Sequence, residues 1–445
     1  MGRQSSHDGR RPDGYDASVR FRAALAAFAL VAARVDGAPA PAVVAPGLAF
    51  ALTLRGDGSV LASGPFSLNV PGGSGPLRIE LARLSASGAT LRGSVRARNG
   101  SGLLVAGLVL DLESASAAPK EASAGAGRSV PLRLREPVVF GDLLPGEETP
   151  PLAFEAGPLP LGDDVLLVTL LGAVAGLAVA PPVLVEGAAR PVALDSDRSD
   201  RLYVATAGQD RVLRLWPFGG GSPAEAARPA APPAGVALRR RNGEVWVSTG
   251  GAVLEAWAPG RKRPVPVDAH RPVTALRIDA KGTLRAAAGN GVVTFDGAQP
   301  GAPRPLGPDG ARVVSFDTDP TGLVHAVVAE GGATRLVVDS PSGPAPFAAA
   351  KGAGLDVLGA PAACRFDGEG ALWVAAPARE PEGAVLARFA AGDAPRPVLS
   401  RLALALLLGK EEAAPVPSIV DLAPGTERRT WVLLGDGRVF AVRPF

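Results

Sequence analysis

The chain has 445 residues, of which 46 are Lys or Arg and 43 are Asp or Glu, so its formal net charge at pH 7 is only +3. This charge is small for the length and argues against a nucleic-acid-binding surface as the main feature. The single cysteine, Cys364, excludes an internal disulfide, and its apolar neighbours predict a buried structural role. The length allows two domains, and the scarcity of Lys beside abundant Arg, Ala, Gly and Pro is typical of GC-rich bacterial genes.

Residues 1–40 are predicted to be a signal-peptide-like or disordered N-terminus. An apolar run at 23–33 follows two arginines, and the small-residue sequence Ala38-Pro39-Ala40 comes after it. A basic start, an apolar core too short to span a bilayer and an Ala-x-Ala ending are typical of a secretory signal. We hypothesise that translation starts at Val19; an amphipathic or buried helix over 23–33 is the alternative. The expected localisation is periplasmic or extracellular, with no stable membrane span in the mature chain.

Residues 41–180 are predicted to form an immunoglobulin-like β-sandwich. Strand-like apolar runs recur through this segment, at 48–54, 77–81, 91–98, 103–112 and 165–171. In the third run apolar and polar residues alternate from Leu91 to Arg98, as in a strand with one exposed face. The sequence at 99–102, Asn-Gly-Ser-Gly, would join this run to the next as a β-hairpin. The small-residue stretch at 114–122 is expected to be a long loop.

Residues 181–445 repeat one pattern six times: an apolar strand, a turn bearing Asp or Gly, and a second strand with an aromatic or long side chain at a fixed place. The aligned side chains, spaced 39 to 58 residues apart, are Tyr203, Trp246, Arg285, His325, Trp373 and Trp431. A repeat of this length is typical of a propeller blade. We therefore predict an all-β chain in which a sandwich precedes a six-bladed β-propeller, with the aligned aromatic residues packed between blades.

The clearest copy runs from Cys364 to Ala375, where an Asp-x-x-Gly turn beginning at Asp367 connects two apolar strands. Proline-containing stretches such as 264–267 and 395–398 suit an outer, fourth strand of a blade. The sixth copy has no such stretch after it. Segment 182–186 is therefore predicted to pair as the outer strand of the last blade and to close the ring.

These hairpins, written Asp-x-x-Gly-x-Leu-Trp/Tyr-Val-Ala, resemble the six-bladed propellers of the NHL-repeat and gluconolactonase/regucalcin-like group over roughly residues 182–445. Lactonase-type members of this group hold one divalent metal at the funnel with a Glu, an Asn and an Asp from separate blades, because hard cations prefer oxygen ligands. This chain departs from that pattern. Its first propeller strand has no Glu, and the only Asn of this half, Asn242 and Asn290, are in turns.

Candidate ligand-binding residues are few, because the chain has only three His. His270 lies in a loop that could face the funnel, whereas His325 occupies the aligned aromatic position and is expected to be packed. The remaining candidates are four carboxylates: Asp195, Asp279, Asp317 and Asp367. An Asp that opens an Asp-x-x-Gly turn, such as Asp279, is expected to serve the turn, and the acidic stretch 195–200 is expected to be a solvated turn rather than a calcium loop. No catalytic and no metal-binding residue is assigned.

Two basic clusters, at 239–241 and 261–263, lie beside turn residues. We interpret them as solvated turns rather than phosphate-binding sites. No nucleic-acid partner is expected.

The expected function is that of an exported binding or scaffolding protein whose propeller funnel receives a ligand or a protein or glycan partner, without a cofactor. The alternative is a metal-dependent, lactonase-like hydrolase or lyase that would use calcium or magnesium and His270 with the four Asp. Funnel geometry distinguishes the two. Carboxylates that converge on one point favour the enzyme, and carboxylates that face their own turns favour the scaffold.

Overall fold

The structure is a computed structural model, and it describes residues 48–54, 59–62, 65–114, 132–158, 166–218, 221–347, 358, 360–378, 383–389, 398–411 and 414–445. The predictions for residues 1–40 and for most of the loop at 114–122 lie outside these residues. Strands dominate the described part. None of its helices is long and apolar enough to cross a membrane.

Within the described residues, ten strands precede the repeats. Their bounds are β1 Leu48–Leu54, β2 Val60–Ala62, β3 Phe66–Asn69, β4 Pro76–Ser87, β5 Thr90–Asn99, β6 Leu104–Ser114, β7 Arg133–Leu134, β8 Val138–Leu143, β9 Leu152–Gly157 and β10 Leu166–Val179. Antiparallel pairing joins them in the order β3-β4-β5-β9-β7-β6-β10, with β1 and then β2 added at β10, and β8 added at β6. Most of their buried side chains form one core, which also contains Phe445 from the far end of the chain. Four buried residues of β6 and β10 belong instead to a second core that they share with the fifth and last propeller sheets: Leu104, Ala106, Leu177 and Val179.

Strand β5 has the alternation predicted for it. Leu91, Val95 and Ala97 are buried, whereas Arg92 and Arg98 are exposed. One face of β5 therefore contributes to the core of this sheet, and the other meets solvent.

The hairpin predicted at 99–102 is wrong. Strand β5 pairs with β4 and β9, and strand β6 pairs with β7, β8 and β10. The physical reason lies in Asn99, which is fully buried and whose Nδ2 donates to the backbone oxygens of Leu103, Leu143 and Leu144 at 2.7, 2.9 and 3.1 Å. The turn is thus fixed to a distant loop instead of closing a hairpin.

The repeats form small antiparallel sheets. The first sheet contains β12 Pro191–Ser196, β13 Leu202–Thr206, β14 Arg211–Leu215 and β15 Ala224–Ala227. The second contains β16 Gly235–Arg239, β17 Glu244–Ser248, β18 Val253–Trp257 and β19 Val265–Asp268, so the predicted outer strand at 264–267 is confirmed. The third contains β20 Ala275–Ile278, β21 Leu284–Ala288, β22 Gly291–Asp296, β23 Gln299–Pro300 and β24 Arg304–Pro305.

The remaining sheets follow the same order. The fourth contains β25 Arg312–Thr318, β26 Val324–Glu330, β27 Ala333–Ser340 and β28 Gly343–Pro346. The fifth contains β29 Ala363–Phe366, β30 Leu372–Ala375, β31 Ala384–Phe389 and β32 Val398–Ser400, after which helix α1 spans Arg401–Leu407. The last three strands are β33 Ile419–Pro424, β34 Thr430–Leu434 and β35 Arg438–Pro444. Of the outer strand expected at 395–398, only Val398 lies within the described residues.

The first strands of these sheets meet in a closed ring. Strand β12 lies against β16, and the contacts continue through β20, β25, β29 and β33 back to β12. Small antiparallel sheets that meet at their first strands in a ring constitute a β-propeller. Each aligned aromatic side chain packs on the following sheet, as predicted: Tyr203 clusters with Val236, and Trp246 with Leu276.

Residues from before the repeats complete the last sheet. The short strand β11, Val183–Leu184, pairs with β35, and Val185 N donates to Gly437 O at 3.0 Å, which confirms the prediction for 182–186. The end of β10 also pairs with β35, with Leu177 opposite Pro444, and this pairing was not predicted. The N-terminal sheet and the last propeller strands are therefore hydrogen-bonded to each other.

Candidate functional site

A network of five charged side chains lies at the centre of the propeller, on the ring of first strands. Its members, each at most 8% exposed, are Asp195 on β12, Arg277 on β20, Asp317 on β25, Arg365 on β29 and Asp421 on β33. We call them the central network. Burial of so many charges requires that each be paired or hydrogen-bonded, because an isolated buried ion is very costly.

The three carboxylates bond the backbone in the same way. One oxygen of Asp195 accepts from the N–H of Ser196, its own neighbour, and the other accepts from Leu238 N on the next sheet at 2.8 Å. Asp421 does the same with Leu422 and Leu194, and Asp317 with Thr318 and Phe366. The first strands have no strand partner on their inner side, so these carboxylates satisfy N–H groups that would otherwise be buried without an acceptor.

The two guanidinium groups join sheets that are distant around the ring. Arg277 Nη2 lies 2.6 Å from Asp421 Oδ1, and Arg365 Nη2 lies 2.9 Å from Asp195 Oδ1. Arg365 Nε also lies 3.5 Å from Asp317 Oδ2. The network therefore connects the third sheet to the last and the fifth to the first and fourth.

The two arginines differ in their electrostatic environment. Burial lowers the pKa of Arg365, and the nearby charge of Arg277 lowers it further. Burial also acts against the charged form of Arg277, but Asp421, Asp317 and Asp195 outweigh it and raise the pKa of this guanidinium. Arginine is effectively always protonated in proteins, so the two guanidinium groups place two formal positive charges among the three carboxyl groups.

The network leaves hydrogen-bonding capacity unused. Arg277 Nε and Arg365 Nη1 have no hydrogen-bond acceptor among the described residues. Buried donors of this kind are usually satisfied by ordered water.

The sequence-predicted candidates do not form one site. Asp195 and Asp317 belong to the central network. Asp279 and Asp367 lie in hairpin turns, where Asp279 Oδ1 accepts from Lys281 N and Thr283 N. Each of these two carboxylates therefore caps its own turn.

His270 lies at the opposite end of the sheets from those hairpins, in the connection from β19 to β20. Its side chain is 65% exposed, its Nδ1 is 3.0 Å from Asp268 Oδ2, and its backbone N–H donates to Asp268 Oδ1. The structure does not bring it to the central network. It stands at the rim formed by the connections between sheets, a position open to a partner.

The turn carboxylates explain the fixed position of the aligned side chains. Asp367 Oδ2 accepts from Trp373 Nε1 at 3.0 Å, six residues further along the chain. His325 Nε2 stands 3.5 Å from Asp319 Oδ2 at the same separation in sequence. The aligned side chain of each such hairpin thus lies beside the second oxygen of its turn Asp, which is a structural role.

Sequence reasoning missed Arg277, Arg365 and Asp421. A usable signal was present for the two arginines, because each precedes a turn Asp by two residues, as Asp195 precedes Asp197 and Asp317 precedes Asp319. A charged residue at this place of an otherwise apolar strand marks the inner end of the blade. Asp421 is not followed by a turn Asp two residues later, so this pattern does not identify it.

No group of three or more His, Cys, Asp or Glu able to hold a metal is found among the described residues. A shallow cavity of about 490 Å³ lies far from the network, in the N-terminal sheet, where it is lined by 135–139 and 152–155. We take the central network rather than this cavity as the candidate functional site, because two of the three charged residues that line the cavity, Arg135 and Glu155, are paired with each other.

No family model and no curated protein matches the chain. Solved structures similar to it include the PQQ-bound form of aldose sugar dehydrogenase from Streptomyces coelicolor, with a TM-score of 0.42 and 16% identity over 60% of this chain and 98% of that one. Virginiamycin B lyase from Staphylococcus aureus has a TM-score of 0.40 and 11% identity over 85% and 98%. The Cps50 (Swd1) β-propeller domain from Myceliophteria thermophila has a TM-score of 0.40 and 14% identity over 59% and 99%. None of these scores reaches 0.5, so no activity is transferred from them, and the propeller assignment rests on the strand pairing described above.

Proposed function

We propose that this chain is an exported bacterial binding or scaffolding protein, built from an immunoglobulin-like sandwich and a six-bladed, NHL-like propeller whose funnel receives a protein or glycan partner. The cycle of contacts from β12 through β33 supports six blades. The core that gathers most of the buried residues of β1 to β10 supports one N-terminal domain. Export is supported by the apolar run at 23–33 and the Ala-x-Ala sequence after it.

The observation that carries the proposal is the composition of the central network. A lactonase-type centre would need several oxygen ligands free to face one cation. In this chain the carboxylates of Asp195 and Asp421 are engaged on one side by backbone N–H groups and on the other by buried guanidinium groups. A divalent cation there would have to displace or face two arginines, which is electrostatically unfavourable. The network is better suited to holding the ring together while the rim binds the partner.

The metal-dependent hydrolase or lyase remains the second candidate. One observation favours it: Asp195, Asp317 and Asp421 reach the centre from three different sheets. Carboxylates drawn from separate sheets are what a metal-dependent propeller enzyme uses, but in the described residues these three do not form a group able to hold a metal, and the two arginines stand between them.

Thermal unfolding with and without divalent cations separates the two candidates. The full chain, stripped of metal with EDTA, is expected to unfold at the same temperature with and without millimolar Ca²⁺ or Mg²⁺. A cation present at 100 times its Kd would stabilise the native state by about 2.7 kcal/mol, which raises the Tm by several degrees. A rise in Tm that Asp195→Asn abolishes and the exposed control Asp309→Asn preserves would favour the hydrolase, and lactone substrates would then be tested.

A second experiment addresses the binding surface. On an array of bacterial glycans and envelope proteins, His270→Ala at the rim is expected to weaken capture of the partner. Lys281→Ala, an exposed change in a hairpin turn at the other end of the sheets, is the matched control and is expected to have no effect. Equal loss in both variants would contradict binding at the rim.

A further inference from the structure

Six exposed cationic side chains stand on the turns of the first two propeller sheets. We call this surface the cationic turn face; its members are Arg198, Arg240, Arg241, Arg261, Lys262 and Arg263. Sequence analysis treated the clusters at 239–241 and 261–263 as separate solvated turns. The structure brings them to one end of neighbouring sheets.

Strand register places these turns at the same end. In the first sheet Leu215, the last residue of β14, lies opposite Leu202, the first residue of β13, so the turn after β14 stands beside the β12–β13 turn. In the second sheet Trp257 at the end of β18 lies opposite Val245, near the start of β17, which gives the same arrangement.

Direct contacts join the turns to one another. Arg240 Nε donates to Ser196 O at 3.0 Å and its Nη2 donates to Pro424 O, which links the second sheet to the first and the last. Gly243 and Pro259, from the two turns of the second sheet, stand side by side, since a Cβ added to the glycine would lie 3.3 Å from Pro259 Cγ. The cationic turn face is therefore continuous.

The charge of this face is not neutralised from within. The neighbouring carboxylates are already in ion pairs: Asp197 with Arg201, Glu244 with Arg239, and Asp200 with Arg429. The six side chains of the face have no ion pair with any described carboxylate. The carboxylates of these turns are therefore already paired with other arginines, and the face has an excess of positive charge.

Two exposed aromatic side chains stand at the same end, in the turn after β14. Trp216 and Phe218 are each 57% exposed. Phe218 is held in place, with its ring centroid 5.3 Å from that of Trp431 and the guanidinium of Arg429 4.7 Å from it. Trp216 has no ring partner among the described residues. It is the most exposed of the five Trp, three of which are buried and one partly buried.

We propose that the cationic turn face, with Trp216 and Phe218, is a docking surface for an anionic lipid bilayer. Clusters of four to eight basic residues are attracted to anionic headgroups, and aromatic side chains of this kind favour the headgroup region. Exposed aromatic side chains gain little from a soluble polyanion that has no apolar groups, such as polyphosphate, whereas a bilayer surface accommodates both the charges and the rings. This surface is at the opposite end of the sheets from His270, so the inference does not rest on the proposed function.

Co-sedimentation of the full chain with lipid vesicles tests the proposal. At about 0.1 M salt, binding is expected to vesicles of phosphatidylethanolamine and phosphatidylglycerol (3:1) and not to phosphatidylcholine alone, and to weaken at higher salt. R261S/K262S is expected to reduce the partition coefficient by about 25-fold, since each basic residue contributes roughly a factor of five. R271S/R312S removes two exposed charges from the other end and is expected to leave binding unchanged.

A separate comparison tests the contribution of the two aromatic residues. W216S/F218S is expected to reduce vesicle binding by at least about tenfold while leaving binding to soluble polyphosphate unchanged. V253S, which removes a 47% exposed apolar side chain from the opposite end, is the control. The apolar run at 23–33 is present in every variant, so its own affinity for lipid cancels in the comparison.

The proposal predicts in addition that tryptophan emission shifts to the blue with anionic vesicles and that W216S abolishes this shift. It is overturned if anionic vesicles do not bind, if R261S/K262S binds them as the unchanged protein does, or if W216S/F218S has no effect. The last result would assign the face to soluble polyanions instead. Unchanged Tm values of the variants would establish that they fold.

Discussion

At the scale of single residues, the central network shows how a ring of strands can satisfy its inner edge. Asp421 accepts two backbone N–H groups and also faces Arg277 across the ring. Removing one side chain of this buried pair is costly, because the other charge stays buried without its partner. The network is therefore a set of coupled side chains, and the effects of single changes should not be additive.

Arg277→Met is expected to lower the free energy of unfolding by about 3 to 5 kcal/mol, since the charge of Asp421 then lacks its buried counterion. Urea unfolding followed by tryptophan fluorescence measures this loss. The double variant Arg277→Met/Asp421→Asn should cost less than the two single variants together, because it removes both charges. Arg271→Met, at an exposed position, is the control. Simple additivity would contradict the coupling of the pair.

His325 should make the stability of the propeller depend on pH. Burial lowers its pKa below the ordinary value of 6.5, and the opposing effect of Asp319 is smaller. The unfolded chain therefore binds a proton at this histidine more readily than the folded one. The contribution of neutral His325 to stability is complete above about pH 6.5 and is lost as the pH drops toward the folded pKa. His325→Phe should remove this part of the pH dependence when urea midpoints are compared at pH 8 and pH 5.5. His270→Gln, at an exposed position, should leave it in place, and an equal slope in His325→Phe and the unchanged protein would contradict the assignment.

At the scale of elements, the turn Asp residues should differ in importance according to what their second oxygen contacts. Asp367 caps its turn through Glu369 N and Ala371 N and in addition accepts from Trp373 and Arg388. Asp279 caps its turn in the same way, but among the residues that the structure describes its second oxygen has only Arg285 at 3.6 Å. The two hairpins thus share a sequence motif, but their turn Asp residues should contribute different amounts to the free energy of unfolding.

Asp367→Ala is expected to destabilise the protein by about 3 kcal/mol, because it leaves Trp373 Nε1 and Arg388 Nε without their acceptor, while Arg388 keeps only its pair with Glu369. Asp279→Ala is expected to cost about 1 kcal/mol, the typical value of a lost cap. Parallel urea titrations rank the two variants. Equal costs would mean that the contacts of the second oxygen contribute nothing.

Local sequence patterns predicted most of the propeller hairpins. Contacts between residues that are distant in sequence could not be predicted from such patterns. The hairpins of the repeat were predictable because Asp-x-x-Gly turns such as the one at Asp367 determine their own geometry. The hairpin at 99–102 failed because Asn99 bonds to residues more than forty positions away, which no local pattern reports. Three of the five members of the central network were missed. Asp421 has no local signal, and its pairing with Arg277 joins residues 144 positions apart, which the local pattern of the arginines does not report.

At the scale of the whole molecule, the N-terminal sheet and the propeller are joined at β10 and β35. Gly176 and Phe445 exchange backbone hydrogen bonds at 3.2 and 3.0 Å, and the Phe445 side chain, only 7% exposed, belongs to the core of the N-terminal sheet. Gly176 permits this contact, because a Cβ at that position would lie 2.7 Å from the Phe445 ring. A shared hydrogen-bonded sheet and a shared core predict that the two parts unfold together.

Phe445→Ala tests this cooperativity. The substitution removes a buried aromatic ring from the N-terminal core, which typically costs about 3 to 5 kcal/mol. All five Trp lie at positions 216 to 431, so tryptophan fluorescence reports mainly on the propeller, although Trp373 belongs to a core that also includes Leu104 and Leu177 of the N-terminal strands. If the chain unfolds as one unit, the fluorescence transition should move to lower temperature in a single step and coincide with the circular dichroism transition. Val139→Ala, which shortens a side chain that is 65% exposed, should leave both transitions in place. A fluorescence transition that stays unchanged in Phe445→Ala, with a separate earlier step in circular dichroism, would mean that the propeller closes its ring without support from the N-terminal sheet.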